Sequence, residues 1–331
     1  YLLLIAAASL LAAGCTEDKT YALPEVYPSD GGDTPSDVEP PHEVRARKNK
    51  TSAWGDYLAY TVDRIHGFTP GEDPVTDKYG GWKVSSLQAT GFFRTQQIGG
   101  RWWMITPEGN LYICKGVAVF SAGGSDRQQA KLQEKFGSTS EWARQETSML
   151  KARGFNGLGA WSNVETVRKL TEPMPYTVIV SPMGKLNSYI KSSGEEAGAS
   201  WSGWEGYPND FAMVFHPKFD EYVESEISTI SKYKDDPYCI GYFTDNEIPW
   251  KDYALDRCLE KWPETHINHK KAQEWLDQRK GKTGAKLSEA TAADRRAFIA
   301  YCLEIYLEKV TKAIKKYDPN HLYLGCRFNQ W

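Results

Sequence analysis

The chain has 331 residues, of which 40% are hydrophobic and 25% charged, with a formal net charge of −3; that is enough for one large domain or two small ones. The near-neutral balance, with no long basic run, excludes the electrostatic footprint of a nucleic-acid-binding protein, which clusters Lys and Arg against phosphates. Aromatic residues reach 13%, with 12 Trp, and since aromatic faces both fill cores and stack on sugar rings, composition alone leaves both uses open.

Leu2 to Ala13 is an apolar run shorter than the roughly 20 residues a spanning helix needs, and it reads as the apolar core of a secretory signal. It runs into Leu11-Ala12-Ala13-Gly14-Cys15, which resembles a bacterial lipobox with its Leu one place further upstream than usual. The resemblance implies a signal over 1–15, cleavage before Cys15 and lipid on the new amino terminus. No initiator Met and no basic segment precedes Tyr1, so the chain reads as clipped at its start. Residues 16–50 are rich in Asp, Glu, Pro, Ser and Gly, too polar to bury a core, and are expected to form a flexible tether. Glu17 and Asp18 resemble the export signal of Bacteroidetes-type surface lipoproteins, which implies an outer-membrane or cell-surface location, or failing that a periplasmic one, with membrane contact through the lipid anchor alone.

Residues 51–110 read as a lead-in segment. Its clear part is a β-hairpin: Gly91 to Ile98, a Gly99-Gly100 turn, and Arg101 to Thr106. Pro107 to Asn110 is a second turn, and Leu111 to Phe120 is expected as one further strand, the first of the main domain over 111–331. A helix over Glu141 to Arg153 leads to a short strand in Gly154 to Trp161. Tyr176 to Val180 is the next strand, followed by a polar loop carrying Trp201, Trp204 and His216. Phe219 to Tyr233 has Phe219, Tyr222, Val223, Ile227 and Ile230 at helical spacing. Residues beyond the next strand are expected to be irregular until a long helix over Arg295 to Tyr317, stopped by Asp318-Pro319-Asn320, and a last strand over His321 to Phe328.

The stretch that organises the rest is YCIGYFTDNEIPW, Tyr238 to Trp250. Tyr238 to Phe243 is an uncharged, β-prone run expected to be buried on both faces, and Asp245, Asn246 and Glu247 stand where it ends. Such a cluster is a turn or a helix cap in many chains; at the carboxyl end of a parallel strand it is also where an acid or base belongs. Strands near Ile113, Phe155, Val178, Ile240 and Leu322, alternating with helices, predict an α/β fold: a (β/α)8 TIM barrel, incomplete, with about five of its eight strands present.

Three pieces, GFFRTQQIGGRWWMITPEGNLYICKGV, GFNGLGAW and GYFTDNEIPW, together with DPNHLYLGCRF, resemble the agarase-like branch of the clan A glycoside hydrolases, over about Gly91 to Trp331. The resemblance implies that Glu247 is the general acid/base and that Asn246 contacts the sugar 2-hydroxyl. It also implies a retaining double displacement, whose nucleophile is a Glu closing a seventh strand that this sequence does not contain, so that the chain as given is expected to be an inactive fragment. Glycoside cleavage supports the assignment chemically, since one carboxylic acid must protonate the leaving oxygen while a second carboxylate attacks. Adjacent residues of a strand point to opposite sides, so Asp245 is expected to be a structural acceptor, and Glu224, Glu226 and Glu304 sit on predicted helices as solvated or paired groups.

Trp161, Trp201, Trp204 and Trp250 are candidate sugar platforms, and Asn163 and His216 candidate subsite contacts, each with a bland alternative as core filler, turn former or locally satisfied group. His266 and His269 lack a third ligand and are read as solvated, so no metal and no cofactor is expected. Cys114, Cys239 and Cys326 are expected to pack as small hydrophobes, with a Cys258–Cys302 bridge as an alternative in an oxidising compartment. The expected function is hydrolysis of a galactose-containing, agarose-like polysaccharide; the alternative is a non-catalytic glycan-binding surface lipoprotein on the same fold.

Overall fold

Helix and strand alternate along most of the chain beyond residue 111 in the computed structural model, which describes residues 17–18, 42–49, 51–59, 72–84 and 87–328. Five strands, β1 (Gly116–Val117), β2 (Gly157–Leu158), β3 (Tyr176–Val180), β4 (Cys239–Asn246) and β5 (Leu322–Arg327), form one sheet in the order 1-2-3-4-5. Every pairing is parallel. Strands adjacent in sequence are adjacent in space, which is the winding of a β/α barrel, and β1 and β5 end the sheet without meeting. The α/β fold with five barrel strands is therefore present, and the barrel is open.

The helices are α1 (Asp126–Phe136), α2 (Thr139–Ala152), α3 (Val164–Val167), α4 (Pro182–Ser193), α5 (Phe219–Ser228), α6 (Ala254–Lys261), α7 (Ile267–Lys280) and α8 (Ala292–Tyr317). Helix α5 buries Phe219, Val223 and Ile227, four residues apart, and α8 buries Phe298, Cys302, Tyr306, Val310 and Ile314 at the same spacing. That period places them on one stripe, and each large apolar side chain so buried stabilises by roughly 1.5–3 kcal/mol. Helix α8 starts where Thr291 and Asp294 cap each other's backbone amides, a reciprocal arrangement that satisfies two otherwise orphaned donors.

The lead-in hairpin pairs Arg94–Ile98 with Arg101–Ile105. Gly99 and Gly100 both have positive φ, 56° and 76°, the conformation a two-residue hairpin turn demands. Two short pieces of the stretch expected as tether are paired: Glu17–Asp18 lies parallel to Gln97–Ile98, and His42–Ala46 is antiparallel to Gly55–Ala59. A ladder needs only backbone donors and acceptors, which composition does not report. The apolar run at 2–13 and Cys15 lie outside the described residues, and no helix among the described residues is long and apolar enough to cross a membrane.

Several expectations are corrected. The strand expected over Leu111 to Phe120 is two strands: Leu111–Tyr112 extends the hairpin sheet, while Gly116–Val117 is β1. Between them Asn156 takes over the backbone, with Lys115 N donating to its Oδ1 at 2.7 Å and its Nδ2 donating to Ile113 O at 3.0 Å, so Ile113 is left exposed. The region after β4 holds helices α6 and α7, whose buried positions, Leu255 and Cys258, then Ala272 and Leu276, are sparse among charges. His266 is the N-cap of α7 rather than a solvated side chain: its Nδ1 accepts from Asn268 N at 3.2 Å, its Nε2 lies 3.0 Å from Glu196 Oε1, and its ring stacks on Trp262. Cys239, Cys258, Cys302 and Cys326 are buried free thiols, with no Cys258–Cys302 bridge, and Cys114 is exposed.

A cavity of about 690 Å³ lies between Lys78–Gly80 and the residues that precede β2, β3 and β4, including Phe155, Pro175 and Tyr238. It is at the amino ends of the strands, opposite the acidic cluster.

Candidate active site

Strand β4 carries the site. Its register against β3 and β5 shifts between Cys239 and Gly241, between Tyr242 and Phe243, and between Thr244 and Asn246. Its last residues then leave extended geometry: Asp245 and Glu247 have φ of 51° and 53°. A left-handed residue with a side chain costs about 1–2 kcal/mol, and Asp tolerates it better than Glu. Val119 after β1 and Trp161 after β2 are also left-handed, at 56° and 59°, so strain gathers at the carboxyl ends of three strands. Strained residues cluster where side chains must be aimed at a ligand.

Asp245 is wholly buried. Its Oδ2 accepts from Tyr306 Oη of α8 at 2.6 Å, and its Oδ1 from Gly184 N in the first turn of α4 at 3.0 Å. Burial, and then the charge of Glu205, hold its carboxyl well above the usual carboxylate range. Glu205 comes from the loop between α4 and α5, on a two-stranded ribbon of Trp201–Ser202 and Tyr207–Pro208. Its Oε2 accepts from Asn246 N at 3.0 Å and from Tyr207 Oη at 2.6 Å; the same hydroxyl donates to Asn246 O at 3.1 Å.

Asn246 is 7% exposed. Its Oδ1 accepts from Arg327 Nη1, at the end of β5, at 2.8 Å, and Glu247 N donates to Arg327 O at 2.9 Å. The Arg327 guanidinium lies 4.3 Å from the centroid of the Trp161 ring. Glu247 is half-buried, and no described group hydrogen-bonds its carboxylate. The result is one free carboxyl group on a rigid strand end beside a fixed amide, an aromatic face and a guanidinium. Such a carboxyl can give a proton to, or take one from, an oxygen of a ligand in the cleft.

The structure therefore brings together Glu247, Asn246 and Trp161. Trp204 stands at the turn of the ribbon that carries Glu205 and is 89% exposed. Trp201 is partly buried, with Lys191 over its ring. Trp250 packs edge-on against Tyr306 with ring centroids 5.7 Å apart and lies against the main core. Asn163, through its Oδ1, and His216, through both ring nitrogens, are tied into the fold. Asn163 Oδ1 accepts from Ala122 N at 3.1 Å, joining the loops after β1 and β2. His216 Nε2 lies 2.9 Å from Glu195 Oε2, and its Nδ1 accepts from Lys218 N at 3.2 Å. Glu224, on α5, pairs with Lys316 and Tyr317. Among the described residues, no group of three or more His, Cys, Asp or Glu side chains is arranged to hold a metal ion.

Sequence reasoning passed over Glu205, Tyr207, Tyr306 and Arg327. Arg327 had a signal, since it is a charge closing the apolar strand HLYLGCR, the same pattern that drew attention to β4. Glu205 had a weaker one, a carboxylate alone among aromatics in Trp204-Glu205-Gly206-Tyr207.

No family model matches the chain. Beta-agarase B of Vibrio sp. (strain JT0107) is 24% identical over 363 residues, which covers 78% of this chain and 36% of that protein; the chain thus spans about a third of the length of the curated relative it matches. The crystal structure of BpGH50 superposes with a TM-score of 0.67 at 23% identity, covering 89% of this chain and 67% of that one. The agarase AgWH50C gives 0.58 at 21% identity, over 76% and 44%. An exo-beta-agarase gives 0.59 at 19% identity, over 78% and 49%. The chain shares the fold of these solved structures, and in sequence it is similar to a β-agarase.

Proposed function

We propose that this chain carries the acid/base half of a glycoside hydrolase active site, acting on an agarose-like galactan. The observation that carries the reading is the placement of Glu247: a carboxyl without a hydrogen-bond partner among the described residues, at the carboxyl end of the fourth parallel strand, next to an Asn whose amide is held by Arg327. Glu247 protonates the leaving oxygen and Asn246 donates to a hydroxyl of the adjoining sugar. Trp161, and Trp204 on the ribbon, offer exposed faces for stacking. In a retaining mechanism the partner carboxylate stands about 5–5.5 Å from the acid, and it is not assigned among the described residues. The similarity to Beta-agarase B supports galactan as the substrate class.

The test is to express the protein from its full reading frame and compare wild type with Glu247→Gln on agarose, porphyran and other galactans, measuring released reducing ends. Loss of general acid catalysis lowers the rate by roughly 10²–10⁴-fold. A wild type that binds a galactan and cleaves none, or a Gln variant that cleaves as well, replaces the enzyme reading by the glycan-binding one. We also propose Cys15 as the site of lipid attachment to the outer membrane. Labelled palmitate should enter wild type and not Cys15→Ser; equal labelling of both removes the proposal.

A further inference from the structure

Arg327 touches both members of the Asn246-Glu247 pair, and it does so in two ways. Its backbone carbonyl takes the Glu247 N–H at 2.9 Å, and its Nη1 donates to Asn246 Oδ1 at 2.8 Å. A guanidinium has donors and no acceptor, so the amide oxygen, and never the amide nitrogen, must face it. The orientation of Asn246 is therefore fixed by chemistry. Its backbone N–H is spent on Glu205 and its carbonyl on Tyr207, whereas its Nδ2 donors have no acceptor among the described residues. On its other side the same guanidinium covers one face of Trp161, a left-handed residue 48% exposed. A planar, delocalised cation stacks on an indole as an ammonium cannot.

We propose that Arg327 is the positioning residue of this site. It turns the Nδ2 donors of Asn246 to the ligand and holds Trp161 as the facing wall, so that the subsite selects a sugar presenting an acceptor oxygen to Asn246. This rests on the reading of Asn246 as a sugar contact. Arg327 acts through Asn246 and Trp161, and makes no contact with the reacting atoms itself.

The first measurement needs no ligand. The Nδ2 protons of Asn246, assigned by their loss in Asn246→Asp, are followed by NMR in wild type, Arg327→Lys and Arg327→Met. In wild type they are expected to be as rigid as the backbone of β4. In Arg327→Met they become mobile, and Lys does not restore them, because a point ammonium lacks the planar fork. The second measurement is calorimetric binding of an agarose-derived oligosaccharide to the same proteins, to Asn246→Ala and to the Arg327→Met/Asn246→Ala double variant. Removing a charge-assisted hydrogen bond weakens affinity roughly 10–100-fold, and the double variant is expected to lose less than the sum of the two single losses, since the part of Arg327 that acts through Asn246 is already gone and only its hold on Trp161 is left to lose.

Unchanged Nδ2 signals in Arg327→Met overturn the proposal, as do losses that add. If the Met variant does not fold, the Lys variant, which keeps charge and length, decides by the same signals. Absence of oligosaccharide binding in wild type would instead remove the galactan reading, while the NMR comparison still settles whether Arg327 orients Asn246.

Discussion

The hydroxyl of Tyr306 donates to Asp245 Oδ2 at 2.6 Å, joining the middle of the longest helix to the end of β4. Both residues are wholly buried. Gly184 N holds the other carboxylate oxygen, so two helices grip the residue two places before Glu247. The site is stiff because its support lies in the core below it: those contacts hold the left-handed Asp245, and the bond from Glu247 N to Arg327 O ties the next left-handed residue to β5.

Asp245 makes a pH prediction. Burial and the Glu205 charge raise its carboxyl, so the folded protein keeps a proton that the unfolded chain releases above about pH 4. The stability this contributes is complete below that pH and is lost as pH rises toward the folded value. Asp245→Asn, neutral throughout and tolerant of a φ of 51°, is therefore expected to melt at or above wild type at pH 8, with a shallower fall between pH 5 and 8. Thermal melts across that range check it; an Asn variant melting about 5 °C lower at pH 8, roughly 1–2 kcal/mol, would show that the carboxylate is ionised there.

Gly241 makes a steric prediction. A Cβ on it would stand 2.2 Å from Leu322 O, a backbone atom of β5, so the two strands approach only because position 241 has no side chain. Gly241→Ala must push β5 outward and is expected to destabilise by about 3 kcal/mol, the upper end of ordinary overpacking. Because β5 carries Arg327, the same shift should also free the Asn246 amide. Denaturant unfolding gives the first effect; a loss below about 1 kcal/mol would mean that the strands part without cost.

Most of the architecture was legible in the sequence, because helical spacing in Phe219 to Tyr233 and the uncharged run of Tyr238 to Phe243 are signals that burial itself imposes. Glu247 and Asn246 were legible for the same reason, as polar groups at the end of such a run. What escaped depended on partners far along the chain. The break at Ile113 is set by Asn156, and the commitment of His216 by Glu195. Helices α6 and α7 hid because few of their residues reach the core. Arg327 became meaningful only when β5 was seen beside β4.

The amino end of the sheet makes an acid prediction. Asp318, wholly buried, accepts from Tyr242 Oη, contacts His321 Nδ1 at 2.6 Å and takes the amides of Asn320 and His321. Despite its burial, these partners hold its carboxyl down, at about 2. A depressed carboxylate contributes stability that is present above its unfolded value near 4 and lost as pH falls toward 2. The shift corresponds to roughly 2 kcal/mol at neutral pH. Asp318→Asn is expected to lose about that much at pH 7 and to converge on wild type near pH 2. Parallel pH curves for the two proteins would place the acid sensitivity elsewhere.

The tryptophans divide by what each ring touches, and this makes the last prediction. Trp204 is 89% exposed, so deleting its ring removes little buried area; Trp204→Ala should leave the melting temperature within about 1 °C, surface changes being nearly neutral. Trp250 packs on Tyr306 and the main core, and Trp250→Ala is expected to cost about 3 kcal/mol through the space it leaves. In glycan binding the order should reverse. Trp204→Ala weakens galactan retention in affinity electrophoresis, whereas Trp250→Phe, which keeps a ring on Tyr306, binds as wild type does. If instead Trp204→Ala binds normally and Trp250→Phe does not, the wall of the cleft lies on the β4 side, and Trp250 would have to leave its place against Tyr306 for a sugar to meet it.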